Sequence, residues 1–441
     1  MNIVSTTKFL EHLNMSNIVN LSYKYDDKLR RIVVLAFMNE HGEKFACQFP
    51  KEETSSLYNI IFETLQQSKT VYLYDLKKFL KLFFSHQSTY IYNIDVRGIF
   101  RDVLIELYDE FNKHITLQDE FIEKLTSKRI RVNDTHEFYR RTSETLSFPY
   151  QIFSFDEILR ECLDEIEIID CIRKTLQFVP NKFKTVLYDS SETYAVIETN
   201  QVYVNNCVER IDKYFDNIDS SIGNVVYNFT KTRTGRLESK FHLISKENAQ
   251  KVLVSRFQRG EILYCDMKNF EIRSMLEMWG EECNEVDVYK IEEYDRELVK
   301  KNVISWLYGS TSFHKKVIES FIKKYPNVEQ KRADIVNSNA SELTTILGKR
   351  IKYDSNEEYK RKCINNLVQN YAAFLMMEFT TNLNMIMTSK NVKSKIIATK
   401  FDEIILDCHE DETDFISKAI NFCLKKISGR VLFLATTHSE N

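Results

Sequence analysis

With 441 residues the chain has material for roughly two to four domains, and its net charge of −3 gives no global basic excess of the kind common in nucleic-acid binders. Hydrophobic residues make up 43% and charged residues 28%, with only 9 Gly and 4 Pro, which excludes a predominantly disordered chain and favours an ordered, largely helical one. No apolar run approaches the roughly 18 to 20 residues that a membrane-spanning helix needs, and Met1 to Leu13 lacks a basic start followed by an apolar stretch, so a soluble, cytoplasmic, non-secreted protein is expected.

In chain order, the β-prone runs Arg31 to Met38 and Lys44 to Phe49 flank the polar turn Asn39 to Gly42 and predict a hairpin. Thr70 to Tyr74 reads as a strand running into a helix from Asp75 to Phe84. From about 100 to 180, apolar residues recur at spacing three and four, among them Phe100, Val103, Leu104, Leu107, Ile158, Cys162 and Ile166, which predicts helices. Strands return at Tyr194 to Ile197, Glu261 to Cys265, Ile396 to Lys400 and Ile404 to Cys408, with long helical stretches before the last two. The fold class expected is α/β (α+β), a sheet domain with an inserted helical subdomain. Nine cysteines, scattered from Cys47 to Cys423 without zinc-site spacing, read as free and mostly buried thiols.

Two acidic positions stand at strand ends. Glu261-Ile-Leu-Tyr-Cys-Asp266 delivers a carboxylate at the end of an apolar strand, a rigid place for a metal ligand. Asp402-Glu403 sits between two apolar β-runs, as in the tight turn of a hairpin, and alone such a pair is ordinary turn chemistry. Together, carboxylates on neighbouring strands could hold two Mg²⁺ ions about 3.5 to 4 Å apart around a transferring phosphoryl group.

Arg296, Lys300, Ile304 and Tyr308 are spaced by four and lie along one helix face about 18 Å long, with cations at one end and a ring at the other. That matches a nucleotide laid along the helix; a solvated amphipathic face is the alternative. Arg361, Asn365 and Gln369 repeat the spacing, with donors and acceptors suited to sugar and base edges, and Ile364, Leu367, Val368 and Ala372 on the opposite face. Further basic groups at Lys301, Lys315, Lys316, Lys349, Arg350, Lys360 and Lys362 read either as solvated helix faces or as binding surface.

These segments, in this order, resemble family A (DNA polymerase I-like) DNA polymerases. Thr234-Gly-Arg236-Leu is similar to the family's Thr-Gly-Arg-Leu element. Asp266-x4-Glu271-x-Arg273 resembles its motif A, and Arg296-x3-Lys300-x7-Tyr308-Gly309 its motif B. The stretch from Tyr325-Pro326 through Gly348-Lys-Arg350 to Arg361-x3-Asn365-x3-Gln369 also resembles the family, and Asp402-Glu403 stands where motif C ends.

The resemblance implies a right-hand polymerase: palm with antiparallel sheet at 216–285 and 355–441, helical fingers at 286–354 and a helical thumb-like region at 111–215. It implies template-directed addition of deoxynucleotides (dNTPs) to a primer 3′-hydroxyl, with Asp266 and Asp402 holding two Mg²⁺ ions, for which Mn²⁺ substitutes, and Glu403 beside them. Arg296 and Lys300 would grip the triphosphate, Lys300 assisting catalysis. Ile304, Tyr308 and Glu271 would shape the nucleotide pocket, with Glu271 disfavouring a ribose 2′-hydroxyl. Arg236, Arg361, Asn365 and Gln369 would contact primer-template DNA.

Ile304 stands where the family has an aromatic residue, Phe401 replaces a histidine before the motif C aspartate, and Phe241-His-Leu-Ile replaces Asn-Leu-Gln-Asn. Residues 1–110 resemble a degenerate RNase H-like 3′→5′ exonuclease domain. Tyr72-Leu-Tyr-Asp75 is similar to its second motif, but the strand due to carry Asp-x-Glu reads Asn17-Ile-Val-Asn-Leu-Ser-Tyr, so no proofreading is expected. The thumb-like region offers no matched motif, and its short length suggests modest grip on the duplex, or a separate processivity factor or other replication protein as partner. The rival readings are a polymerase-derived enzyme with an altered task (untemplated addition, RNA-templated or lesion-bypass synthesis) and a non-catalytic nucleic-acid binder.

Overall fold

β-Branched and aromatic runs build four sheets among the described residues, and the strands expected at 31–38, 44–49, 70–74, 261–265, 396–400 and 404–408 are among theirs. The computed structural model describes the chain apart from residues 1, 4, 27–30, 50–54, 87–95, 131–153, 206–210, 220, 311, 339 and 441. The fold is mixed α/β, and the chain divides into two compact units, 1–180 with 187–199, and 181–186 with 200–441. No helix among the described residues is long and apolar enough to cross a membrane.

The first unit carries a six-stranded sheet of β1 (Asn2–Ile3), β2 (Ile18–Asp26), β3 (Arg31–Asn39), β4 (Lys44–Gln48), β5 (Val71–Leu73) and β6 (Phe100–Asp102), in the order β1-β4-β3-β2-β5-β6. The β3–β4 hairpin is present with Gly42 at φ 79, a conformation that a Cβ would strain. β5 and β6 lie parallel to β2, joined through the Leu76–His86 and Val96–Ile99 helices. A capping box at Ser154 and Glu157 starts the 21-residue helix Phe155–Thr175. Ile158, Leu159, Cys162 and Ile166 of that helix close on Val34, Ala36 and Met38 of β3, each fully buried side chain of this size contributing about 1.5 to 3 kcal/mol.

Three expectations are corrected here. The boundary drawn near 110 falls inside the first unit, because one apolar cluster joins Val103 and Leu107 to Ile115, Ile122, Ile168 and Ile172. Phe100–Asp102 is an edge strand at the start of the stretch read as helical, of which 131–153 lies outside the described residues. Tyr194 to Ile197 is helical, within Lys182–Thr199. Tyr194, Ala195, Val196 and Ile197 are all buried, as are Ser190, Ser191 and Thr193, and a run buried on every side has no period by which helix and strand can be told apart.

The second unit is organised on an antiparallel sheet of β11 (Gly260–Met267), β14 (Lys395–Lys400), β15 (Glu403–His409) and β16 (Ala435–Glu440), in the order β14-β15-β11-β16. Smaller sheets are formed by β7 (Val202–Val204), β8 (Asp216–Asp219), β9 (Ile222–Asn224) and β10 (Leu253–Val254), and by the pair β12 (Glu342–Thr344) and β13 (Arg350–Lys352). The 34-residue helix Asn356–Ser389 packs with Phe270–Met278 and Thr413–Ile427. Ser355 caps it by accepting from Glu358 N, and Glu357 and Glu358 add favourable charge in its first turn. The cysteines among the described residues form no disulfide, and all but the half-buried Cys171 are buried.

Candidate active site

The apolar run of β11 ends at Asp266, and the β14–β15 hairpin turns beside it. Cα register places Asp266 opposite Glu403, and Met267 N donates to Asp402 O at 3.0 Å. Two carboxylates far apart in sequence are thereby locked to the same end of one ladder. The turn itself places Phe401 at φ 57, a left-handed conformation that costs a bulky L-residue energy and persists because both flanking strands over-determine it.

Burial, then the charge of Asp266, pushes the Asp402 carboxyl up to about 6, and burial likewise raises Glu403. The Glu403 side chain is only 10% exposed and its Oε1 has no hydrogen-bond partner, whereas the Asp266 side chain is 45% exposed. The ammonium of Lys246 lies 3.6 Å from Asp266 Oδ2 and 3.5 Å from Glu403 Oε1. Among the described residues no three or more His, Cys, Asp or Glu side chains make a ready-built metal cage. Hard carboxylates at a strand end, one with a buried oxygen that makes no hydrogen bond, have the donor chemistry of a hard divalent cation site.

Glu271 enters the same cleft from the first turn of Phe270–Met278. Tyr308 OH donates to Glu271 Oε2 at 3.1 Å, and Arg236 Nη1 stands 3.7 Å from Glu271 Oε1. Burial, with Glu271 next in order, holds the Tyr308 phenol well above its ordinary range, so it remains a donor. The Arg236 guanidinium lies 4.4 Å over the Phe401 ring, whose other neighbour is the His242 imidazole at 4.8 Å. Burial drops His242 to about 4, and the neutral ring donates from Nε2 to Thr399 O at 3.3 Å. Arg236, His242, Glu271, Gln369, Phe401 and Asp402 line one cleft together with Ala372, Ala373 and Met376.

The two four-spaced stripes are helical as expected. In Arg296–Leu307, Val299, Val303, Trp306 and Leu307 are buried, leaving Arg296, Lys300, Ile304 and the C-capping Tyr308 on the less buried face. Arg296 is held by Asp287 at 2.5 Å and by Glu297, so it is positioned by carboxylates that an incoming anion must compete with. Arg361, Asn365 and Gln369 are the less buried positions between buried Cys363, Ile364, Leu367 and Val368. Gly309, at φ 84, takes a left-handed conformation that a Cβ would strain, although the Cβ itself would make only ordinary contact with the Arg361 backbone at 3.5 Å.

Asp266, Asp402, Glu403, Glu271, Tyr308 and Arg236 thus form one constellation, and Gln369 shares its cleft. Arg273, two residues after Glu271, points elsewhere. It is wholly buried and donates to the carbonyls of Lys268, Leu432, Glu285 and Val286, a strut that fixes the turn behind Asp266. Lys246 was not singled out from sequence, and His242 entered only within the Phe241-His-Leu-Ile departure; no pattern in one chain marks a lysine that only folding brings to a carboxylate.

No protein-family model and no curated protein matches the sequence. Among solved structures, the chain is similar to the POL domain of Pol1 from M. smegmatis, in complex with DNA primer-template and dNTP, with a TM-score of 0.68 at 12% sequence identity. The match covers 99% of this chain and 97% of that one. From end to end, therefore, this chain has the fold of that polymerase domain.

Proposed function

We propose that the chain is a template-directed DNA polymerase of the DNA polymerase I-like type, extending a primer 3′-hydroxyl with deoxynucleotides and releasing pyrophosphate. One observation carries the reading: Asp266 and Asp402–Glu403 meet at the end of an antiparallel ladder, and Asp402 lines a cleft with Arg236 and with Glu271, to which Tyr308 donates. The end-to-end likeness to a polymerase domain supports it. In this reading 216–285 and 355–441 form the palm and 286–354 the fingers.

Asp266 and Asp402 hold Mg²⁺, or Mn²⁺ in its place, which supplies neutralisation of the triphosphate and of the charge that develops in transfer. Lys300 and Arg296 sit on the nucleotide-facing side of the fingers helix and bind the phosphates, where a fixed cation stabilises the leaving group. Tyr308, kept protonated and oriented by Glu271, closes the sugar pocket against a 2′-hydroxyl. Arg236, lying across Phe401 at the mouth of the same cleft, reaches the primer end, while Gln369, Asn365 and Arg361 run along the template-primer duplex. The first unit is read as containing a nuclease remnant without proofreading, and modest grip on the duplex calls for a processivity partner.

The test is primer extension with Mg²⁺ and four deoxynucleotides, comparing the wild type with Asp266→Ala and Asp402→Ala. Template-dependent extension is expected from the wild type alone. A folded wild type that binds primer-template and extends nothing refutes the proposal.

A further inference from the structure

Lys246 opens the Lys246–Val252 helix directly behind its N-cap, Ser245, whose hydroxyl accepts from Asn248 N at 3.2 Å. The backbone of Lys246 is thus fixed while its side chain is 47% exposed. Its ammonium approaches Asp266 Oδ2 and Glu403 Oε1 at 3.6 and 3.5 Å, longer than the 2.7 to 2.9 Å typical of a charge-assisted hydrogen bond. Elsewhere in the chain a lysine that binds two carboxylates does so tightly: Lys24 reaches Glu161 and Glu165 at 2.7 and 2.5 Å.

Asp266 and Glu403 face each other across the ladder, with Asp402 next in the chain, so three negative charges converge on one strand end. Without a cation they repel, and with a permanently bound one the site is blocked. A lysine on a four-carbon stem, close enough to balance charge and too far to be locked, satisfies both demands. Lys400 of β14 donates to the carbonyl of Ile244 and adds its charge near Glu403 without an ion-pair contact to it, which leaves Lys246 as the lysine in contact with both carboxylates.

We propose that Lys246 is a built-in, displaceable counter-ion of the Asp266–Glu403 pair, which steadies the carboxylates when no divalent cation is bound and so sets the affinity with which the site takes one. The proposal rests on the metal-binding role assigned above to Asp266 and Asp402, beside which Glu403 stands. It makes Lys246 a positioning residue for the metal ligands.

The experiment is Mn²⁺ binding to the full chain without DNA or nucleotide, followed by electron paramagnetic resonance of the free ion, for wild type, Lys246→Met, Lys246→Arg and Asp266→Asn. Lys246→Met is expected to bind Mn²⁺ about threefold more tightly at low salt, the size typical of a half-exposed charge pair, with the gain shrinking as salt is added. Lys246→Arg should stay near wild type, and Asp266→Asn should bind more weakly. If Lys246→Met fails to fold, Lys246→Gln carries the same measurement. Unchanged or weaker binding in a folded neutral variant overturns the proposal. Primer extension run in parallel separates the two readings. Extension by the wild type without a Lys246 effect on Mn²⁺ removes only the counter-ion role. Tighter Mn²⁺ binding in the Met variant, with no extension by the wild type, supports that role while removing the polymerase reading.

Discussion

Each unit of the chain gathers acidic side chains near strand residues, and the two clusters differ in how their charge is balanced. In the first unit Lys24 sits against Glu161 and Glu165, Ser22 donates to Glu165 at 2.6 Å, and Asn20 donates to Asp170 at 3.2 Å. Asp102 accepts from the backbone N–H of Asp75, Leu76 and Leu104, and the carboxylate of Asp75 caps the next helix through Lys78 N. In the second unit Asp266 is half-exposed, Glu403 Oε1 makes no hydrogen bond, and the Lys246 ammonium stays beyond 3.4 Å of both. Carboxylates gripped by donors at hydrogen-bond distance are structure; carboxylates with loosely held counter-charge can accept a ligand.

The largest effect expected from this contrast is on activity. Asp266→Ala and Asp402→Ala should each lower the primer-extension rate by at least about a hundredfold, since each removes a stabiliser of the transferring phosphoryl group. Asp75→Ala should leave extension per folded molecule unchanged, and no 3′→5′ digestion should be detected in either background. A nuclease activity that Asp75→Ala abolishes would break the comparison outright.

Next in size is stability. Lys24→Met leaves Glu161 and Glu165 buried without their cation, and chemical denaturation should show a loss of about 3 to 5 kcal/mol. A loss below about 1 kcal/mol would mean that the first cluster is as loosely balanced as the second.

The pH dependence follows from Asp402. Its folded value, about 6, lies above the ordinary 3.8, so its ionisation costs stability: the contribution is present below pH 3.8 and lost as pH rises through about 6. A metal that requires the carboxylate must expel the proton below that point. Mn²⁺ affinity should therefore fall about tenfold per unit below pH 6 and level off above pH 7, which calorimetric titration at several pH values would show.

The smallest effect concerns the fingers helix. Ile304→Phe should restore a stacking surface worth about 0.5 to 1.5 kcal/mol, lowering KM for the deoxynucleotide several-fold with kcat little changed. Steady-state kinetics would sharpen the assignment of this helix face to the nucleotide, and a KM that does not move would remove it.

Local pattern was enough to determine the elements that carry the site. Apolar runs located β11, β14 and β15, and the four-residue spacing from Arg296 and from Arg361 located two helices and their less buried stripes. The ordered motifs then pointed to a polymerase-like fold, which the structural likeness bears out. Periodicity is written along the chain, so it reports which face of an element is covered. It could not separate helix from strand at Tyr194–Ile197, where every face is buried, nor find a boundary that the Val103–Ile172 cluster closes over. Only the tertiary structure decided which carboxylates are compensated, because their partners are distant: Lys24 finds Glu161 137 residues away, and Lys246 reaches the β11–β15 ladder through its own helix. The same acidic residue type becomes a cap, a buried ion pair or a candidate metal ligand according to which donors folding brings within 3 Å, and that is a property of the assembled core.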